Sequence, residues 1–190
     1  MKHIYTALFA AFCALTASAQ TEVLKIELTD GTTQTIEVAK IKEMTFGTEQ
    51  APIAGTYTGV NSVTVGGQFT YTATISPVIA ENADGTINLT WPEFSLPGTI
   101  MGDLTLGSYT IPNIPYDGAK GAYYLDYSDK GIKMHLKTVS NGATTMDQDY
   151  VLGTGSTVTI ERSSTGIKIT NPIKPGAMPF PIVAKFEGTK

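Results

Sequence analysis

Beyond residue 52 the chain is a succession of short runs in which apolar and polar residues alternate, cut at short intervals by Gly, Pro, Asn or Asp. "GQFTYTATI" places Phe69, Tyr71, Ala73 and Ile75 on one face and Thr70, Thr72 and Thr74 on the other. "NADGTINLTW" is a turn followed by a strand with Ile87, Leu89 and Trp91 on one side. "GSYTIPNI", "AYYLDY", "GIKMHLKTV", "STVTIERS", "TGIKIT" and "PFPIVAKFEG" continue the series, and no window carries a 3.6-residue stripe longer than two turns. A period of two sends alternate side chains to opposite faces of a strand. Many short, evenly spaced strands restrict the chain to a sandwich or a closed up-and-down barrel.

Two segments precede this series. Residues 1–19 have the form of a signal peptide: Lys2 in a short n-region, the apolar "ALFAAFCAL", then "ASAQ" with cleavage expected between Ala19 and Gln20. The apolar run is shorter than the ~20 residues a membrane helix needs, so no transmembrane segment is expected. The chain is therefore expected to be exported, to the periplasm, the cell surface or the medium. Phe12 before Cys13 argues against a lipoprotein signal, and removal of the peptide takes the single cysteine with it. Residues 20–50 form a module of their own. Leu24, Ile26 and Leu28 alternate with Lys25, Glu27 and Thr29, "DGTT" supplies a turn, and Ile36 and Val38 resume the pattern. This is a β-hairpin. "AKIKEMTF" follows as a turn of helix or a third strand, and "GTEQAPIAG" connects to residues 51–190.

The composition closes off several kinds of chemistry. Net charge is −4 with no run of like charges, so the basic stripe that nucleic acid requires is missing. After cleavage the chain has one histidine, His135, and no cysteine, which leaves too few ligands for a zinc site. Alternation puts Ile132, Met134 and Leu136 on a buried face and His135 outside with Lys133 and Lys137. Those neighbours disfavour the imidazolium and offer no carboxylate to orient a base. Asp84, Asp103, Asp117, Asp126 and Asp129 sit beside turn residues, where aspartate serves backbone geometry. "DQD" at Asp147–Asp149 can set two carboxylates on one strand face, and "NADGTIN" lacks the acidic closing residue of a calcium loop. "VGGQ" and "LGTGST" lack the Lys-Ser/Thr ending of a phosphate loop and read as turns. No cofactor, no metal and no enzymatic activity are expected.

"IAGTYTG", "DGTINLTWPEFSL", "MGDLTLGSYTIPNI" and the terminal "VAKFEGTK" together resemble the calycin-like β-barrel family of exported bacterial proteins. The resemblance runs from about Ile53 to the C-terminus. The preceding hairpin resembles a short module found ahead of various exported proteins of Gram-negative bacteria. What the resemblance implies is an all-β fold: an eight-stranded up-and-down barrel related to lipocalins and streptavidin, with the hairpin at its N-terminus. It brings no catalytic motif. In the lipocalin relatives the first strand carries a glycine and, two residues on, an aromatic that packs across the closed end. Gly55 and Tyr57 fall at that spacing, with tyrosine in place of the usual tryptophan.

Aromatics recur in nearly every strand candidate. In an eight-stranded barrel, inward aromatics either fill the interior or line a small cavity. In the second case ring faces bury an apolar ligand and tyrosine hydroxyls hold its polar end. The candidate ligand-binding residues are Tyr57, Phe69, Tyr71, Trp91 and Phe180, with Tyr57 the nearest to a basal plug. The four prolines of "NPIKPGAMPFPIV" mark a loop at a barrel mouth, a lid or a plug. The expected function is non-catalytic binding of a small apolar or amphipathic, lipid-like molecule. The alternative is a filled barrel that serves as a cell-envelope or surface interaction component, its hairpin pairing with a partner.

Overall fold

The computed structural model describes residues 22–42, 52–176, 178 and 181–190. Residues 1–19, where a signal peptide is expected, most of the connector and Phe180 lie outside the described residues. The chain divides into two units, 1–50 and 51–190.

In the first unit, β1 (Val23–Glu27) pairs antiparallel with β2 (Thr33–Glu37), with Leu24 opposite Ile36. Asp30 holds the turn. Its Oδ1 accepts from the Thr32 amide at 2.9 Å and hydroxyl at 2.7 Å, and Gly31 takes a φ of 83°. A 3-10 turn at Val38–Lys40 follows.

The second unit holds fifteen further strands: β3 (Gly55–Thr56), β4 (Thr58–Val65), β5 (Phe69–Ile75), β6 (Val78–Glu81), β7 (Ile87–Trp91), β8 (Phe94–Thr99), β9 (Gly102–Leu106), β10 (Tyr109–Ile114), β11 (Tyr116–Asp117), β12 (Ala122–Asp126), β13 (Lys133–Ser140), β14 (Ala143–Val151), β15 (Thr157–Arg162), β16 (Ile167–Ile173) and β17 (Ile182–Thr189). They form one seven-stranded sheet, ordered β11-β12-β15-β16-β17-β4-β5, and two four-stranded sheets, β10-β7-β6-β3 and β14-β13-β9-β8.

The all-β class agrees with the sequence expectation, but the eight-stranded up-and-down barrel needs correcting. Among the described residues there are 17 strands, and no sheet closes on itself. One reason is local. Ser76–Pro77 separates β5 from β6, Pro92–Glu93 separates β7 from β8, Gly107–Ser108 separates β9 from β10, and Pro115 separates β10 from β11. Three of these seams contain a proline, which has no N–H to give a ladder. The simple up-and-down order is also interrupted. β13 pairs with β9 and β14, so β12 pairs with β15 rather than with its successor in sequence.

The proline-rich stretch also departs from expectation. Asn171–Ile173 is strand, the end of β16. Pairing with β15 stops at Thr170 while pairing with β17 continues to Ile173, so Pro172 sits where only one ladder is required.

Burial follows the alternation. Val63 and Val65 of β4, Ile87 and Leu89 of β7, Val158 and Ile160 of β15, and Ile167 and Ile169 of β16 all join one buried cluster. Two asparagines, Asn61 and Asn171, occupy inward positions in the same registers and are fully buried.

Candidate functional site

Trp91 ends β7 and lies opposite Tyr109 at the start of β10, so their rings stack with centroids 6.5 Å apart and planes 20° from parallel. On the other side, Phe186 of β17 presents itself to Trp91 edge to face at 6.3 Å. Asn61 of β4 is the register partner of Phe186. From Tyr109 the array continues into polar contacts. Asn171 Nδ2 donates to the Tyr109 hydroxyl at 2.6 Å, and the Tyr127 hydroxyl donates to Asn171 Oδ1 at 2.6 Å. Desolvation pushes both phenols well above the usual tyrosine range, so both stay neutral.

Three polar atoms beside these rings have no partner among the described residues: Asn61 Oδ1, Asn61 Nδ2 and Trp91 Nε1. Buried polar groups are nearly always hydrogen-bonded, so orphans call for a water or a ligand. The array consists of uncharged groups. It holds no nucleophile–base pair.

The candidate residues named from sequence fall in different places. Trp91 is at the centre of the array. Phe69 and Tyr71 lie in the first half of β5. Phe69 is 41% exposed and shares a groove of about 260 Å³ with Val65, Gly66, Gln68 and Ile100, while the Tyr71 hydroxyl accepts from the Ile100 amide at 3.0 Å. Tyr57 is buried in the same apolar cluster as Trp91. Its hydroxyl donates to the Ile53 carbonyl at 2.7 Å and its amide to the Pro77 carbonyl at 3.0 Å, while Lys190 Nζ lies 5.5 Å from its ring centroid. Phe180 lies outside the described residues. Asn61, Tyr109, Tyr127, Asn171 and Phe186 are additions from the structure. The available signal for the asparagines was an amide in an otherwise apolar register: Asn61 with Val63 and Val65, Asn171 with Ile167, Ile169 and Ile173.

His135 requires a correction. The outer face of β13 does have carboxylates, supplied by β14. His135 Nδ1 meets Asp149 Oδ1 and His135 Nε2 meets Asp147 Oδ1, each at 2.8 Å, with Lys137 Nζ 3.6 Å from Asp147. The hydrogen bonds to Asp149 and then Asp147 raise the histidine pKa rather than lower it. Both ring nitrogens are engaged, so the imidazole is a cross-strand clamp rather than a free base. A raised folded pKa means that the folded chain keeps this proton to higher pH than the unfolded chain. The resulting stabilisation is complete below the unfolded histidine pKa of about 6.5 and is lost as pH rises through the folded value. The His135 ring should titrate above that of a free histidine by NMR, and His135→Gln should flatten the dependence of unfolding on pH across this range. A ring titrating at or below the free value would remove the clamp.

The turn aspartates serve backbone geometry. Oδ1 of Asp84, Asp117 and Asp126 each accepts the amide two residues on, from Thr86, Ala119 and Ser128. Among the described residues no group of three or more His, Cys, Asp or Glu side chains is placed to hold a metal ion. None of the described helices is long and apolar enough to cross a membrane.

These features define an antiparallel all-β domain built around one aromatic core with a polar chain inside it. The chain matches the family model of the calycin-like beta-barrel domain over residues 53–189, and it belongs to that family. No curated protein and no solved structure gives a match.

Proposed function

We propose that the protein is an exported, non-catalytic binding protein that holds a small apolar or amphipathic molecule inside a ring of strands. The ring follows from reading through the seams. Taken as bent staves, β3–β4, β5–β6, β7–β8 and β9–β10–β11 join β12, β15, β16 and β17 in a circuit of eight in which each neighbour pair shares a ladder. The β13–β14 hairpin is then an addition to the β9 stave. Eight staves enclose just enough room for side chains or one small ligand.

The observation that carries the binding reading is the set of three unpartnered, buried polar atoms on Asn61 and Trp91. In this reading Trp91 touches the ligand, Phe69 and Tyr71 belong to the rim, and Tyr57 is a structural plug. Export rests on residues 1–19. A non-catalytic role is supported by the family and by a core of neutral groups.

Trp91 is the single tryptophan, so its fluorescence reports on the site directly. A panel of fatty acids, sterol-like molecules and neutral aromatics should contain members that change it saturably and raise the thermal midpoint. Ligand at 100 times its Kd should add about 2.7 kcal/mol of stability. A flat response in both measurements across the panel would overturn binding. It would favour the second reading, a filled interior with function on the outer surface, which the close packing of Trp91, Tyr127 and Phe186 also suits.

A further inference from the structure

Two turns of the second unit border a groove of about 260 Å³, lined by Val65, Gly66, Gln68, Phe69 and Ile100. One wall is the turn between β4 and β5, and the other is the turn between β8 and β9. Both are fixed in place. Gly66 and Gly67 take φ of 60° and 72°, which glycine adopts without strain, and the Gly66 amide donates to the Pro181 carbonyl at 2.9 Å. In the other wall Thr99 Oγ1 donates to the Gly102 carbonyl at 2.6 Å and accepts from the Met101 amide at 3.1 Å. The bond from the Ile100 amide to the Tyr71 hydroxyl ties this turn to β5. Ile100 is nonetheless 57% exposed, more than any other large apolar side chain among the described residues. A preformed apolar recess open to water gains by being covered, and little ordering is lost when it is filled.

Size and charge narrow what can cover it. A cavity of ~150 Å³ holds one benzene, so this groove has room for roughly ten heavy atoms, below the ~300–1,000 Å³ of sites for drug-sized ligands. That suits an apolar group of one short chain and leaves no room for a whole lipid. Residues 58–75 and 94–106, the two hairpins that build the groove, contain no Lys, Arg, His or Glu. Their one charged side chain is Asp103, whose Oδ1 accepts from the Gly98 amide at 2.8 Å. An anionic head would therefore find a like charge and no cation. The Gln68 amide offers both a donor and an acceptor to an uncharged one.

We propose that this groove is a binding site for a small neutral amphiphile, with its alkyl chain laid between Phe69 and Ile100 and its head on Gln68. The site goes beyond the interior reading above, since Trp91 is not among its lining residues.

The probe is 1-octanol, titrated into the full chain at pH 7 and followed by NMR. It should shift the amides of Gly66, Gly67, Gln68, Phe69 and Ile100 saturably and leave the Trp91 indole resonance in place. 1-Butanol, four methylenes shorter, should bind ~10-fold or more weakly. Octanoate should bind ~2–5-fold more weakly than 1-octanol, the span of an exposed charge contact. Ile100→Glu alters an exposed position, so the thermal midpoint should hold while octanol affinity falls ~10-fold or more. Octanol binding that Ile100→Glu leaves unchanged would overturn the groove, and octanoate binding as tightly as octanol would overturn the neutral head. Shifts centred on Trp91 instead would overturn the groove while supporting the interior reading. Self-association abolished by Ile100→Glu, or binding to phosphatidylcholine vesicles with no response to 1-octanol, would make the occupant a second copy or a bilayer and overturn the proposal. No amide response to 1-octanol would overturn it as well, leaving the interior reading to the Trp91 fluorescence panel.

Discussion

Replacing Asn171 by alanine should cost about 4 kcal/mol of stability in chemical denaturation at pH 7. The side chain serves two buried hydroxyls, accepting from Tyr127 and donating to Tyr109. Its removal strands both, and each buried group left without its partner costs ~1–3 kcal/mol. Water does not easily replace the lost amide, since Asn171 and Tyr127 are fully buried and Tyr109 nearly so. Tyr127→Phe alone removes one donor and leaves Asn171 Oδ1 unpaired, for a smaller cost of ~1–2 kcal/mol. The double variant Asn171→Ala, Tyr127→Phe should cost less than the sum of the two, because the shared bond can be lost only once. Strict additivity, or a loss under ~1 kcal/mol for Asn171→Ala, would mean that the hydroxyls find other partners.

Gly188→Ala is the second large effect, and its cause is contact rather than backbone conformation. A Cβ built at Gly188 would lie 2.3 Å from Phe186 Cζ and 2.7 Å from the Thr58 carbonyl oxygen. The ring can swing only at the expense of its edge-to-face contact with Trp91, and the carbonyl belongs to the end of β4 that pairs with β17. Overpacking of this kind costs ~1–3 kcal/mol, and here both obstacles push towards the upper end. The variant should also shift Trp91 fluorescence, which a purely local strand defect would leave alone. Gly85→Ala makes the comparison: a φ of 82° disfavours a side chain there, yet nothing lies within 4 Å of the new Cβ. It should lose stability with the Trp91 signal unchanged. If Gly188→Ala is as stable as the parent chain, Phe186 is not held against that glycine.

The individual strands were legible because each is a local property. Ile87, Leu89 and Trp91 share a buried face in the sequence pattern and in the structure, as do Met134 and Leu136. The asparagines were legible in principle, since Asn61 and Asn171 interrupt apolar registers. What the array needs could not be read that way. Tyr109, Tyr127 and Asn171 stand on three separate segments, 62 residues apart at the widest bond. Nothing local announces that they touch. His135 makes the same case from the opposite side: its own strand offers Lys133 and Lys137, and the carboxylates that bind it arrive from β14 through the pairing His135–Asp149.

Alternation, turn residues and the prolines determined by themselves that this chain is a set of short antiparallel strands, because side-chain period and φ preference act within a few residues. They also bounded its metal chemistry, since residues 20–190 hold no cysteine and one histidine, too few for the usual zinc ligand set. Only the tertiary structure decided which strands are neighbours, that β12 passes over β13 and β14 to reach β15, and that Trp91, Tyr109, Phe186 and the two asparagines meet in one interior. Strand pairing joins residues far apart in sequence, so its energy is spread over contacts that no single window contains.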